Sequence, residues 1–157
     1  SAGQSARERL GAQLLHHCNV EFDIPGILFG MFYGGSPIIA SDGTPAPSDD
    51  WNQYEPHATP GARAPHLWVD DGVSIFDRFG RGFTLVRLGN NPRDGRAYVD
   101  AAASRHIPLT VIDVPGDEAR DLYGADLALI RPDHHVAWRG NAAGDARATL
   151  ARATGRG

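Results

Sequence analysis

The sequence predicts an α/β domain in which a βαβ unit is followed by a ββα unit, preceded by a helical segment and an extended connection. Three observations predict it. Two apolar runs of strand length, Phe83 to Leu88 and Pro108 to Val114, flank a stretch of helical period that opens at Asn91-Pro92. Two further strand-like runs, Ala125 to Ile130 and His135 to Trp138, flank the turn-forming Arg131-Pro132-Asp133-His134. A last helical stretch, Ala143 to Thr154, closes the chain. A parallel pair linked through a helix needs a right-handed crossover, and a hairpin with a helix against it completes one sheet.

In chain order, Ser5-Ala6-Arg7-Glu8 has capping-box spacing, and Leu10, Leu14 and Leu15 recur at helical intervals, which predicts a helix from about Ser5 to Cys18. Val20 to Tyr33 is apolar but carries Pro25, Gly26 and Gly30, and reads either as a second helix with a break or as an irregular buried segment. Asp-Gly-Thr, Pro-Ala-Pro-Ser-Asp-Asp and Pro-Gly then dominate, the composition of an extended linker. The expected division is a helical segment at 1–40, a linker at 41–66 and the α/β domain at 67–157.

Leu67 to Val69 and Val73 to Ile75 read as short strands about Asp70-Asp71-Gly72, since Asp-Gly suits the backbone angles of a tight hairpin. Phe76 to Phe79 adds one helical turn. Phe83 to Leu88 is a strand, Asn91-Pro92 to about Arg105 a helix, Pro108 to Val114 a strand expected to be buried on both faces, and Asp117 to Tyr123 a short helix. This order of elements is thioredoxin-like.

Composition narrows the functional classes. The 157 residues suit one ordinary domain plus a tail, and 41% hydrophobic with 22% charged residues is ordinary for a globular chain. The net charge is -4, and the 15 basic residues, all Arg, are scattered singly, so no basic stripe is present to follow a nucleic acid. The longest apolar run, Ile27 to Tyr33, is broken by Gly30 and falls far short of the roughly 20 residues of a membrane span. One cysteine, Cys18, allows neither an internal disulfide nor a Cys-x-x-Cys pair, which points to a reducing cytoplasm. The opening Ser1-Ala2-Gly3-Gln4 shows neither an initiator Met nor a signal pattern and reads as a cut or processed start.

The chemistry-bearing positions give mostly negative readings. A thioredoxin-type redox cysteine belongs where the first strand hands over to its helix, because a helix N-terminus stabilises a thiolate. Here that turn is Gly89-Asn90-Asn91-Pro92 and carries no sulfur. Cys18, beside His16 and His17, reads as a small buried hydrophobe sooner than a nucleophile. Adjacent His134 and His135 face opposite ways on a strand, so no metal site is expected, and Asp133-His134 reads as a turn with a solvated imidazole. Gly80-Arg81-Gly82 precedes a strand, the wrong order for a phosphate loop, and Gly-x-Gly-x-x-Gly does not occur, so no catalytic, cofactor-binding or metal-binding residue is expected. Gly80 and Gly82 are expected to let the chain turn into the strand at Phe83. Trp68, Trp138, Phe76, Phe79 and Phe83 read as core aromatics, and Asp70, Asp71 and Asp77 as turn and surface carboxylates.

Several clusters point further. Pro60-Gly61-Ala62-Arg63-Ala64-Pro65-His66-Leu67-Trp68, then Asp71-Gly72, Phe76-Asp77 and Phe79-Gly80-Arg81-Gly82-Phe83-Thr84-Leu85, resemble the C-terminal region of the FAD-dependent aromatic hydroxylases. So do Leu122-Tyr123-Gly124-Ala125-Asp126-Leu127, Leu129-Ile130-Arg131-Pro132-Asp133 and His135-Val136-Ala137-Trp138-Arg139. Upstream, Asn19, Glu21-Phe22, Gly26-Ile27, Gly30, Tyr33, Ser36-Pro37-Ile38 and Asp42-Gly43-Thr44 resemble the closing helix of that family's catalytic unit and its linker, with Pro25 as a departure.

The resemblance implies a monooxygenase in which NAD(P)H reduces FAD and oxygen forms a flavin hydroperoxide, by residues upstream of this chain. It also implies a C-terminal thioredoxin-like domain without redox cysteines, serving stability or contact with the flavin domain or a second subunit. Pro60, Gly61, Arg63, Pro65, His66, Gly80, Gly82, Arg131, Pro132 and Asp133 are then structural motif residues. Two other readings stand beside it: a separate module binding a hydroxylase through Val20 to Ile39, and a single-cysteine redox protein acting through Cys18.

Overall fold

A computed structural model of the chain describes residues 2–156. They fall into two compact units, one running to Met31 and including Ser48–Glu55, the other formed by Phe32–Pro47 and Pro56 onward. The stretch expected as a linker is therefore shared between them.

In the first unit, α1 (Ala2–Phe22) is longer at both ends than the capping-box reading implied, and none of its described residues is buried. Asp23 and Ile24 interrupt the helical path, and α2 (Pro25–Phe29) starts anew with Pro25 in its first turn, where the missing N–H costs nothing. Residues 48–55 return to α2: the Gly26 amide donates to the Trp51 carbonyl at 3.0 Å, the Asn52 side-chain amide to the Asp23 carbonyl at 2.8 Å, and Tyr54 meets Phe29 with ring centroids 5.6 Å apart.

The second unit opens, after its extended segments, with the hairpin β1 (Trp68–Asp70) and β2 (Val73–Ser74). Ser74 then caps the one-turn α3 (Ile75–Arg78): its hydroxyl accepts from the Phe76 amide while Asp77 accepts from the Ser74 amide. The remaining elements are β3 (Phe83–Leu88), α4 (Arg96–Ser104), β4 (Leu109–Val114), α5 (Asp117–Tyr123), β5 (Leu127–Ile130), β6 (Val136–Gly140) and α6 (Ala146–Ala153). Strand order in the sheet is β4-β3-β5-β6, with β3 parallel to β4 and antiparallel to β5, and β5 antiparallel to β6. This is the thioredoxin-like βαβ-ββα arrangement.

Alternation along the central strands divides the core between the two faces of the sheet. Val86, Leu88, Ala128, Ile130 and Val136 join Ile75, Ala119 and Tyr123 on one face. Phe83, Leu85, Leu129 and Ala137 join Tyr98, Ala102 and Leu150 of α4 and α6 on the other. Phe76, Phe79 and Trp138 pack at the margins of these clusters as expected of core aromatics, but Trp68 is 66% exposed. Its place at the start of a short hairpin leaves no second layer to cover it.

Two further expectations are corrected. The helix expected from Asn91-Pro92 begins only at Arg96, because residues 90–95 are pinned as a loop by their own side chains. Asn90 accepts from the Gly116 amide, Arg93 reaches Asp126, and Asp94 accepts from the Arg96 amide at 2.9 Å. The second correction is β4, expected to be buried on both faces: it is an edge strand of the sheet, with Thr110, Val111 and Asp113 exposed. An edge position halves the neighbours that an apolar run would otherwise bury against.

Candidate functional site

In a thioredoxin-like sheet the reactive position lies just beyond β3, at Gly89–Pro92. An ionic clasp organises this end of the sheet. Asp126, 6% exposed at the entry to β5, accepts from Arg120 Nε of α5 at 2.5 Å through one carboxylate oxygen and from Arg93 Nε of the loop at 3.0 Å through the other. Its backbone amide donates to Asn141 at 3.0 Å, and its carbonyl accepts from the Leu88 amide at 2.9 Å. The hydrogen bonds from Arg120 and then Arg93 hold the Asp126 carboxyl below its ordinary pKa, so it is ionised at neutral pH. Two guanidinium groups engage both oxygens of the one carboxylate and fix the loop. The chain's only cysteine, Cys18, lies on α1 and is exposed, not the buried thiol expected, since α1 buries none of its described residues.

The helix starts at this end do not fit a dinucleotide. A pyrophosphate needs free amides and no competing negative charge at the N-terminus. At α4 the Asp94 carboxylate already accepts from the first amide, and α5 opens with Asp117 and Glu118. No step of flavin chemistry is assigned to these residues. Among the described residues no group of three or more His, Cys, Asp or Glu is arranged to hold a metal ion.

The motif residues split between two places. Residues 61–64 run antiparallel to the start of β6: the Gly61 amide donates to the Val136 carbonyl, the Val136 amide to the Ala62 carbonyl and the Ala64 amide to the His134 carbonyl, each at 2.8 Å. On the other side, the Tyr33 amide donates to the Gly61 carbonyl at 2.8 Å. Gly61 has φ of 102° and lies against the Phe32 ring and the Tyr33 backbone, a conformation and a gap that both select glycine. Pro60 and Pro65 are buried at either end of this seam, and the Pro65 carbonyl accepts from the Tyr123 hydroxyl at 3.1 Å.

The β5–β6 turn meets the same seam. Arg131 grips Asp133 through two bonds of 3.0 and 2.7 Å, with exposed Pro132 between them. His134, expected to be solvated, is half-buried with φ of 64°; its ring lies parallel to Phe76 at 5.2 Å and edge-on to Phe79 at 5.3 Å. Burial, followed by the charge of Arg63, lowers the His134 pKa. The Arg63 guanidinium lies 5.0 Å from the centre of the Phe76 ring, and His66 contacts both Phe76 and Trp68. The arrangement ties the chain before the hairpin to the turn before β6. Gly80 and Gly82 stand apart, at the entry to β3, where a Cβ would strike Thr110 and Pro108. They permit close strand approach.

The Asp126 clasp was not singled out in the sequence, because ion pairs 33 and 6 residues apart leave no periodic signal. Arg139 was missed likewise. It donates to Asp42 at 2.7 Å, the Thr44 hydroxyl at 2.8 Å and the Tyr123 carbonyl at 2.9 Å, fixing a loop 97 residues away.

These features define a thioredoxin-like domain whose usual reactive turn is held by an ionic clasp. Residues 57–157 match the family model for the C-terminal domain of aromatic-ring hydroxylases, and the chain belongs to that family. It is 36% identical over 154 residues to the FAD-dependent monooxygenase opdD of Penicillium oxalicum, covering 91% of this chain and 29% of that protein. It is 35% identical over 140 residues to aklavinone 12-hydroxylase RdmE of Streptomyces purpurascens, covering 80% of this chain and 26% of the relative. Among solved structures, RebC-10x, native and bound to K252c, matches with a TM-score of 0.85 at 34% identity, over 100% of this chain and 30% of that one. The flavin-dependent monooxygenase PieE, in complex with FAD and substrate, matches with a TM-score of 0.73 at 26% identity, over 97% and 30%. The chain thus spans less than a third of the length of these relatives.

Proposed function

We propose that this chain is the C-terminal, non-catalytic portion of an FAD-dependent aromatic-ring hydroxylase, with a structural or subunit-contact role. In this reading FAD and NAD(P)H are bound by a catalytic unit upstream, in a cytoplasmic enzyme. The observation that carries it is the occupation of the Gly89–Pro92 end of the sheet by Arg93, Asp126 and Arg120, where chemistry would need a thiol or a free helix start. Matches confined to under a third of FAD-dependent monooxygenases support it. So does the first unit, whose exposed Leu10, Leu14, Leu15, Phe22, Ile27, Leu28 and Phe29 supply apolar surface for a flavin domain to cover. Pro60, Gly61, Arg63, Pro65, His66, Arg131, Pro132 and Asp133 act as the seam's structural residues, and Gly80 and Gly82 as spacers beneath β4.

Mapping the native reading frame tests this. The expected result is a frame running upstream of Ser1 into a Gly-x-Gly-x-x-Gly segment. A start codon directly before Ser1 would favour a separate binding module instead.

A further inference from the structure

The outer edge of β4 is an open, self-complementary strand. Two bonds set which of its backbone groups face outward: the Phe83 amide donates to the Pro108 carbonyl, and the Gly89 amide to the Val114 carbonyl. In a parallel ladder alternate residues turn both polar groups to the same side. The even-numbered residues of β4 therefore face β3, while Leu109, Val111 and Asp113 present their N–H and C=O groups outward. The Leu88 amide, which donates to Asp126 on the β5 side, fits the same alternation in β3.

Both ends of this edge are closed. The Ile107 amide is already bonded to the Ala102 carbonyl, and Pro115 has no amide to offer. No other strand pairs with β4 among the described residues. The strand lacks the devices that usually blunt an edge, since it holds no Lys, no internal Pro and no bulge, and its one charge, Asp113, is drawn sideways to Arg87 at 2.6 Å.

We propose that this edge pairs antiparallel with the same edge of a second copy of this chain, about a two-fold axis at Val111. An edge whose outward groups are centred on Val111 has one register that engages all of them: Val111 opposite Val111, and Leu109 opposite Asp113. That register sets Asp113 against an apolar residue and never against its own copy, so no like charges oppose. Val111 is 38% exposed on the face shared with Leu109, ready to meet its counterpart. The inference rests on, and deepens, the subunit-contact reading above.

Cross-linking tests the register. In a Cys18→Ser background, Val111→Cys places two thiols on the axis, where a hydrogen-bonded antiparallel pair holds Cα atoms about 5.5 Å apart, inside the range a disulfide accepts. Mild oxidation is expected to convert most of the chain to a covalent dimer, whereas Thr110→Cys, which faces Ile112, pairs without forming a disulfide. Equal cross-linking of the two variants, or of neither, overturns the register. Sedimentation of the unmodified chain is expected to shift towards a dimer as concentration rises, and Val111→Pro to abolish the shift. Should Val111→Pro fail to fold, hydrogen exchange of the unmodified chain decides: the amides of Leu109, Val111 and Asp113 are expected to slow with rising concentration. Fast exchange at every concentration, or protection of those amides in a monomer, overturns the proposal. A dimer formed by a chain whose gene has no flavin segment would leave this pairing standing and remove the hydroxylase reading. A flavin segment upstream with no pairing at Val111 would do the reverse.

Discussion

Asp126 ties the loop beyond β3 to α5 through two arginines. With its pKa held below the ordinary 3.8, its ion pairs stabilise the folded state above that value, and the contribution is lost as pH falls through the lowered folded-state pKa. Asp126→Asn keeps the shape and removes the charge. Its melting temperature is expected to lie below that of the parent chain at neutral pH and to converge with it in acid, as differential scanning fluorimetry across pH will show; a gap constant with pH would contradict the ionic account. His134 works with the opposite charge type but the same slope. Because burial and Arg63 depress its pKa, the folded state resists protonation, so its share of stability is whole above 6.5 and shrinks as pH falls below that value. Histidine NMR titration is expected to place His134 below 6.5, and a midpoint above it would refute the stacked, half-buried ring.

Among the elements, the seam at 61–64 and the α4–α6 layer each hold one testable position. Gly61→Ala puts a Cβ at φ of 102° within 3.2 Å of the Phe32 ring and the Gly34 amide, and strain of this kind costs on the order of 1–3 kcal/mol. Leu150 of α6 is fully buried against the β-sheet, so Leu150→Ala is expected to cost about 2–5 kcal/mol by leaving a cavity. Urea unfolding measures both, and a loss under about 0.5 kcal/mol for either would show that its site is not packed as described. The elements also show what was legible in sequence. β3 and α5 have the bounds read from apolar runs and turn residues, because each is governed by local pattern. The start of α4 was misread because Asn91-Pro92 carries a local start signal that the longer-range grip of Arg93 on Asp126 and Asn90 on Gly116 overrides. The exposure of β4 and Trp68 depends on sheet order and layer count, which no single strand encodes.

The whole molecule joins a βαβ-ββα sheet with two buried faces to a first unit whose apolar side chains are largely uncovered. The missing thiol was plain from composition, and the clustered motifs carried the family resemblance. The clasp that fills the reactive end was not visible, since Arg93, Arg120 and Asp126 converge only after three elements are assembled. On this account the fold serves as scaffold. Equilibrium dialysis of the purified chain against FAD tests that claim most directly. Equal flavin absorption on both sides of the membrane is the predicted result, and flavin concentrated and retained with the protein would contradict it.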